Sequence, residues 1–181
     1  WRRIMINCAE YGKALFLLAL EENLDDVIFQ EIKALTDIFR ENNEYITILD
    51  SPAIMLDEKL SMIDNSLGGC HEYIKNFLKI LCEKHSVFQF ENCVKAFSKE
   101  YDKYHNIIRS VVISAVKLSH SQLEKMKLAL EKKSGKVVFL ENEIDPSLIG
   151  GVVLRTEGKQ LDGSLKGRLD SMKRSIEDIK V

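Results

Sequence analysis

The hydrophobic rhythm of this chain changes once, near residue 105, and that change limits the folds open to it. Upstream, apolar residues recur at helical spacing. Leu24, Val27/Ile28, Ile32, Leu35 and Ile38/Phe39 mark one face of a helix over about 24–41, with Asn23 as its expected cap. A first helix is expected over about 6–22, apolar all round at its centre and so richer in apolar surface than one core face needs. The stretch NNEYITILDSP carries a short helix or turn that stops before Pro52, and a helix over about 56–66 is expected to halt at Gly68-Gly69. Helices over about 71–85 and 88–104 follow. Their short joints imply a bundle of five or six antiparallel helices over residues 1–105.

Downstream, NIIRSVVISAVKL is rich in β-branched residues and reads as a strand. Ser119 and Gln122 form an expected capping box. The helix behind them turns Leu123, Met126 and Leu130 inward, and Gly135 closes it. KVVFLE reads as a second strand, so residues 106–181 are expected to hold a β-α-β unit with a parallel pair. Gly150-Gly151 then lead into a strand VVLR, and Glu157-Gly158 turn into KQL. Asp162 or Ser164 caps a final helix with an apolar seam of Leu165, Leu169, Met172, Ile176 and Ile179. The expected fold class is mainly α: a helical bundle, then a small α/β domain with a C-terminal helix.

Composition and motifs remove most functions. A net charge of −2 gives no electrostatic case for nucleic acid. The longest apolar run, Ala14 to Leu20, falls far short of the ~20 residues of a bilayer span. Cys8, Cys70, Cys82 and Cys93 have no metal-ligand spacing and fit a reducing compartment. A Walker loop fails on spacing, because six residues separate Gly151 from Gly158-Lys159 and Gln160 follows. His71-Glu72 lacks a second zinc ligand, since Lys75 stands at that position. Cys70 and His71 are adjacent and do not face each other on a helix, and Asp102 with His105 reads as a surface pair. No catalytic, cofactor or metal site and no small-molecule substrate is expected.

The run IDPSLIGGVV followed by DGSLKGRL resembles the C-terminal signature of the F-type ATP synthase delta subunit family, whose mitochondrial member is the oligomycin-sensitivity-conferral protein. AEYGKALFLLALEEN is similar to that family's first helix, and SPAIMLDEKLSMID and NFLKILCEKH to its middle helices. VVISAVKLSHSQLEKMKLALEKKSGKVVFLE resembles its strand–helix–strand, so the likeness spans the whole chain. Two positions depart from the family. Gly12 replaces a usual alanine and is expected to loosen the first helix slightly; Ser86 replaces a frequent arginine.

The resemblance implies a non-catalytic stator subunit, one copy per synthase, that ties the catalytic head to the peripheral stalk and resists rotor torque during proton-driven ATP synthesis. It places an amphipathic helix of a head alpha subunit between the helices of Tyr11–Leu20 and Tyr73–Cys82, against Tyr11, Ala14, Leu15, Leu18, Tyr73, Ile74, Phe77, Leu78 and Leu81. It gives the stalk b subunits to the C-terminal domain, with Arg168, Met172, Lys173 and Ile176 as contacts. Periodicity divides the second head-facing helix into a line of Tyr73, Phe77 and Ile80 and a line of Ile74, Leu78 and Leu81. Taken alone, periodicity favours both lines as core; the resemblance favours one for the core and one for a partner. Chain length without a transit segment favours the cytoplasmic face of a bacterial inner membrane. The alternative is a helical adaptor or regulatory subunit of another complex that uses the same faces.

Overall fold

The computed structural model describes residues 7–156 and 159–163. They fall into two compact units that divide between Tyr104 and His105, where the rhythm of the sequence changes.

The first unit contains α1 (Cys8–Glu21), α2 (Asp25–Glu41), α3 (Asn43–Asp50), α4 (Leu56–Ser66), α5 (Glu72–Glu83), a 3-10 turn (Val87–Gln89) and α6 (Phe90–Tyr104). Helix α6 is the hub. Phe97 meets Phe16 of α1 edge-on at 5.7 Å and Phe29 of α2 at 6.4 Å. Phe90 meets Phe39 of α2 at 5.2 Å and Phe77 of α5 at 6.3 Å. Each such aromatic pair contributes about 0.5–1.5 kcal/mol beyond the area it buries. Phe29 also stacks on Tyr101 at 4.1 Å, and the Tyr101 hydroxyl donates to Asp26 Oδ1 at 2.5 Å.

Four local expectations change. Helices α1 and α6 run parallel: Cys8 lies beside Gln89, Gly12 beside Cys93 and Ala96, and Phe16 beside Phe97 and Tyr104. Short joints impose antiparallel packing only on consecutive helices, and these two are the ends of the bundle. Gly12 does not loosen α1. A Cβ there would sit 2.3 Å from the Cys93 carbonyl oxygen and 2.7 Å from Ala96 Cβ, so its missing side chain lets two backbones meet. Asn23 does not cap α2. It follows the last turn of α1 with a φ of 56°, a left-handed stop that asparagine tolerates, and Leu24 precedes α2 without a side-chain cap. Nor do Gly68 and Gly69 end α4 by left-handed geometry. The helix stops at Leu67, whose carbonyl accepts from Cys70 N–H at 2.9 Å, and neither glycine has a positive φ.

The second unit is built on a sheet in the order β2-β1-β3-β4, with β1 (Ile107–Ser114), β2 (Val137–Ile144), β3 (Val152–Thr156) and β4 (Lys159–Asp162). β1 and β2 are parallel and joined by α7 (His120–Ser134), the expected β-α-β unit. β3 pairs antiparallel with the other side of β1 and β4 extends the sheet. The capping box forms in both directions: Gln122 N–H donates to Ser119 Oγ at 3.3 Å, and Ser119 N–H donates to Gln122 Oε1 at 2.9 Å. Gly135 ends α7 at a φ of 67°. Leu123, Met126 and Leu130 are half-buried, and no α7 residue is fully buried. The helix is held partly by polar contacts, with Val138 N–H donating to Glu131 Oε1 at 3.1 Å.

The expected Glu157-Gly158 turn and the final helix lie outside the described residues, as does Ser164; Asp162, the other cap candidate, is the last residue of β4.

Candidate functional site

Helix α1 turns Gly12, Leu15, Phe16 and Ala19 into the core. The opposite side is not polar, as a surface helix would ordinarily make it. Ala14, Leu17 and Leu18 lie exposed there, with Leu17 at 51% and Leu18 at 38% of their free surface, and Tyr11 is half-buried. Lys13 and Glu21 flank this apolar stripe.

Helix α5 resolves the two lines seen in the sequence. Ile74, Leu78 and Leu81 are fully buried and belong to the core. Along the other line Tyr73 is half-buried, Phe77 is buried and Ile80 is 42% exposed. His71 positions the start of this helix: its Nδ1 accepts from Tyr73 N–H at 3.3 Å, while its backbone N–H donates to Glu31 Oε2 of α2 at 2.7 Å. Lys79 Nζ reaches Asp64 of α4 at 2.6 Å, and Lys75 pairs with Glu72, whose hydrogen bond holds the ammonium above its ordinary pKa.

The nine head-facing candidates therefore separate. Leu15, Ile74, Phe77, Leu78 and Leu81 are buried within the bundle, whereas Tyr11, Ala14, Leu18 and Tyr73 reach its surface. Helix α1 packs chiefly on α6 and α2, and α5 chiefly on α4 and the 3-10 turn. Leu17 belongs with the exposed group and was missing from the candidates. The apolar-all-round centre of α1 signalled an excess face, but the sequence did not say which residues formed it. Arg168, Met172, Lys173 and Ile176 lie outside the described residues.

A cavity of about 400 Å3 lined by Ile46, Thr47, Asp50, Pro52 and Phe88 adjoins one of about 180 Å3 bounded by Phe39, Arg40 and Glu91. None of the nine candidates lines either. Arg40 and Glu91 form an exposed ion pair at 2.6 Å, and Arg40 holds the Glu91 carboxyl below its ordinary range. Each thus perturbs the other as a surface link between α2 and α6. Burial pushes the Cys70, Cys82 and Cys93 thiols and the Tyr45 phenol upward, which makes these groups less acidic rather than poised for chemistry at neutral pH. Among the described residues no helix is long and apolar enough to cross a membrane.

The sequence profile of the ATP synthase delta (OSCP) subunit matches residues 8–176. This chain belongs to the ATP synthase delta (OSCP) family. ATP synthase subunit delta of Clostridioides difficile (strain 630) is 33% identical over 171 residues, covering 93% of this chain and 94% of the relative. The subunit delta of Trichlorobacter lovleyi is 35% identical over 170 residues, covering 91% and 94%. A chain of the Toxoplasma gondii mitochondrial ATP synthase hexamer, solved by cryo-EM, superposes with a TM-score of 0.78 at 19% identity, over 95% of this chain and 98% of that one. The delta-family fold thus extends across both units.

Proposed function

We propose that this delta-family chain is the non-catalytic stator subunit of a rotary F-type ATP synthase. The bundle of residues 1–105 takes the N-terminal helix of a head alpha subunit, and residues 106–181 hold the b subunits of the peripheral stalk. One copy per synthase sits on the cytoplasmic face of a bacterial inner membrane, attached through the complex. The observation that carries the reading is the stripe of Ala14, Leu17 and Leu18, apolar and exposed on a helix whose other face is already committed to the core.

Covering such a stripe with an amphipathic helix gains about 25 cal/mol per Å2 of apolar surface removed from water. Leu15 and Phe16, on the opposite side of the same helix, anchor it in the core. Attachment at two ends lets contacts of modest strength resist torque together, because the second forms at high effective concentration. Arg168, Lys173, Met172 and Ile176 are the proposed stalk contacts.

Calorimetric titration of the full chain with a peptide copying the N-terminus of its own alpha subunit tests the head-facing half. Binding should show a negative heat-capacity change. It should weaken by at least about tenfold in Leu17→Asp and Ala14→Asp, whose exposed positions spare the fold. A folded wild-type chain that ignores the peptide would remove this half of the proposal and favour an adaptor of another complex. Mass measurement of the intact synthase should find one copy; several copies would contradict the stator arrangement.

A further inference from the structure

The sheet of the second unit ends on one side at β2, a strand of eight residues that pairs only with β1 among the described residues. The hydrogen bonds at its two ends show which way its backbone points. Val137 N–H donates to Asn106 O at 3.1 Å and Asp145 N–H to Ser114 O at 2.9 Å, both toward β1. The alternation of a strand then turns the N–H and C=O groups of Val138, Leu140, Asn142 and Ile144 outward. Glu131 of α7 takes the first of these, accepting from Val138 N–H at 3.1 Å. The main-chain groups of Leu140, Asn142 and Ile144 have no partner among the described residues. No proline, lysine or bulge interrupts the strand, although such devices ordinarily blunt an edge of this length. The side chains along the edge are acidic. Phe139, Glu141 and Glu143 are exposed on one face of β2. Neither carboxylate forms an ion pair among the described residues, and their register partners on β1 are the uncharged Val111 and Ile113. Phe139 differs, since its ring faces the Arg109 guanidinium at 5.2 Å. Leu140, half-buried, and Ile144, 49% exposed, lie on the other face.

We propose that the open edge of β2 binds an extended segment of a partner polypeptide as an added strand, one in which lysine or arginine alternates with apolar residues. Main-chain hydrogen bonds to Leu140, Asn142 and Ile144 hold the segment. Its cations lie against Glu141 and Glu143, where an opposite-charge pair stabilises neighbouring strands. An apolar residue covers Phe139, where Arg109 already supplies the positive charge. Charge also argues against a second copy of this chain as the occupant. Pairing β2 with itself brings Glu141 and Glu143 toward the same carboxylates, and like charges opposite each other destabilise a strand pair. The acidic side chains thus oppose self-association and select a basic strand. The edge lies in the unit proposed to hold the stalk, but its geometry and charge stand whether or not the stalk supplies the strand.

The test adds to the full chain an acetylated peptide of about seven residues, alternating lysine with valine and long enough to span the open edge. Hydrogen exchange resolved to single residues should show the amides of Leu140 and Asn142 slowed by about tenfold or more at saturating peptide, because the added strand occupies them. The same peptide N-methylated at every residue keeps its charge but loses its backbone donors, and should give no such protection. Glu141→Lys, at an exposed position that spares the fold, should weaken binding of the lysine peptide by at least about tenfold. Glu124→Lys makes the same change of charge on the exposed side of α7 and should alter binding by less than about twofold. A folded chain that ignores the lysine peptide, equal protection from the N-methylated peptide, equal weakening by Glu124→Lys, or protection at β4 in place of β2 would each overturn the proposal.

Discussion

Gly12 shows how a single residue can reverse its apparent meaning. By helix propensity alone, Gly12→Ala should stabilise α1 by ~1 kcal/mol. The added Cβ would instead lie 2.3 Å from the Cys93 carbonyl and 2.8 Å from Phe97 N, both backbone atoms that no rotamer change can move. Overpacking costs ~1–3 kcal/mol and outweighs that gain, so the variant should be less stable by up to about 2 kcal/mol in denaturant titration. Higher stability would mean that α1 and α6 are less closely apposed. Cys93 makes a second prediction, for the reduced protein. Its thiol is raised from 9.0 to about 12 in the folded state, so the folded chain keeps a proton that the unfolded chain releases. That contribution is fully present below pH 9.0 and is lost as pH rises toward about 12. Stability should fall with pH across that window, and less steeply in Cys93→Ala than in wild type. Gly12 did not announce its role in the sequence, where it stood as a weak helix position, whereas the apolar neighbours of Cys93 already pointed to a buried thiol.

Among the elements, the β-α-β unit was the most legible, because each part carries its own local chemistry: β-branched strands, a capping box at Ser119 and a left-handed glycine at Gly135. The partner of β1 on its other side was not legible, since strand order is set by which edges meet rather than by any residue within them. One side chain secures the unit's upper edge. Asn142 Nδ2 donates to Val112 O at 2.9 Å and to Ser114 Oγ at 2.8 Å, while Oδ1 accepts from Leu118 N–H at 2.8 Å. It thereby joins β2 to the end of β1 and to the segment leading into α7. Removing it strands a carbonyl and an amide in a half-buried setting, at about 1–3 kcal/mol for each group left unpaired. Asn142→Ala should therefore destabilise the second unit by about 2–3 kcal/mol, read from its hydrogen-exchange protection, and leave the first unit's protection unchanged. Equal loss in both units would show that they unfold together.

At the scale of the molecule, the division between Tyr104 and His105 leaves each unit its own core. A fragment of residues 1–105 should consequently fold alone and bind the alpha-subunit peptide with an affinity within about threefold of the full chain's, as calorimetry can show. A fragment that folds but does not bind would move the head-facing site out of the bundle. The sequence by itself determined a bundle of five or six helices, the change to an α/β unit, the parallel strand pair and the family, because periodicity, caps and short signatures are local and survive without knowledge of packing. Tertiary structure alone decided that α1 and α6 run parallel, that Gly12 is a contact, and that Ile74, Leu78 and Leu81 are core while Leu17 and Ile80 reach solvent. The physical reason is the same in each case. A helix repeats its own faces at 3.6 residues per turn, but which face is covered depends on a neighbour whose position is set far away in the chain.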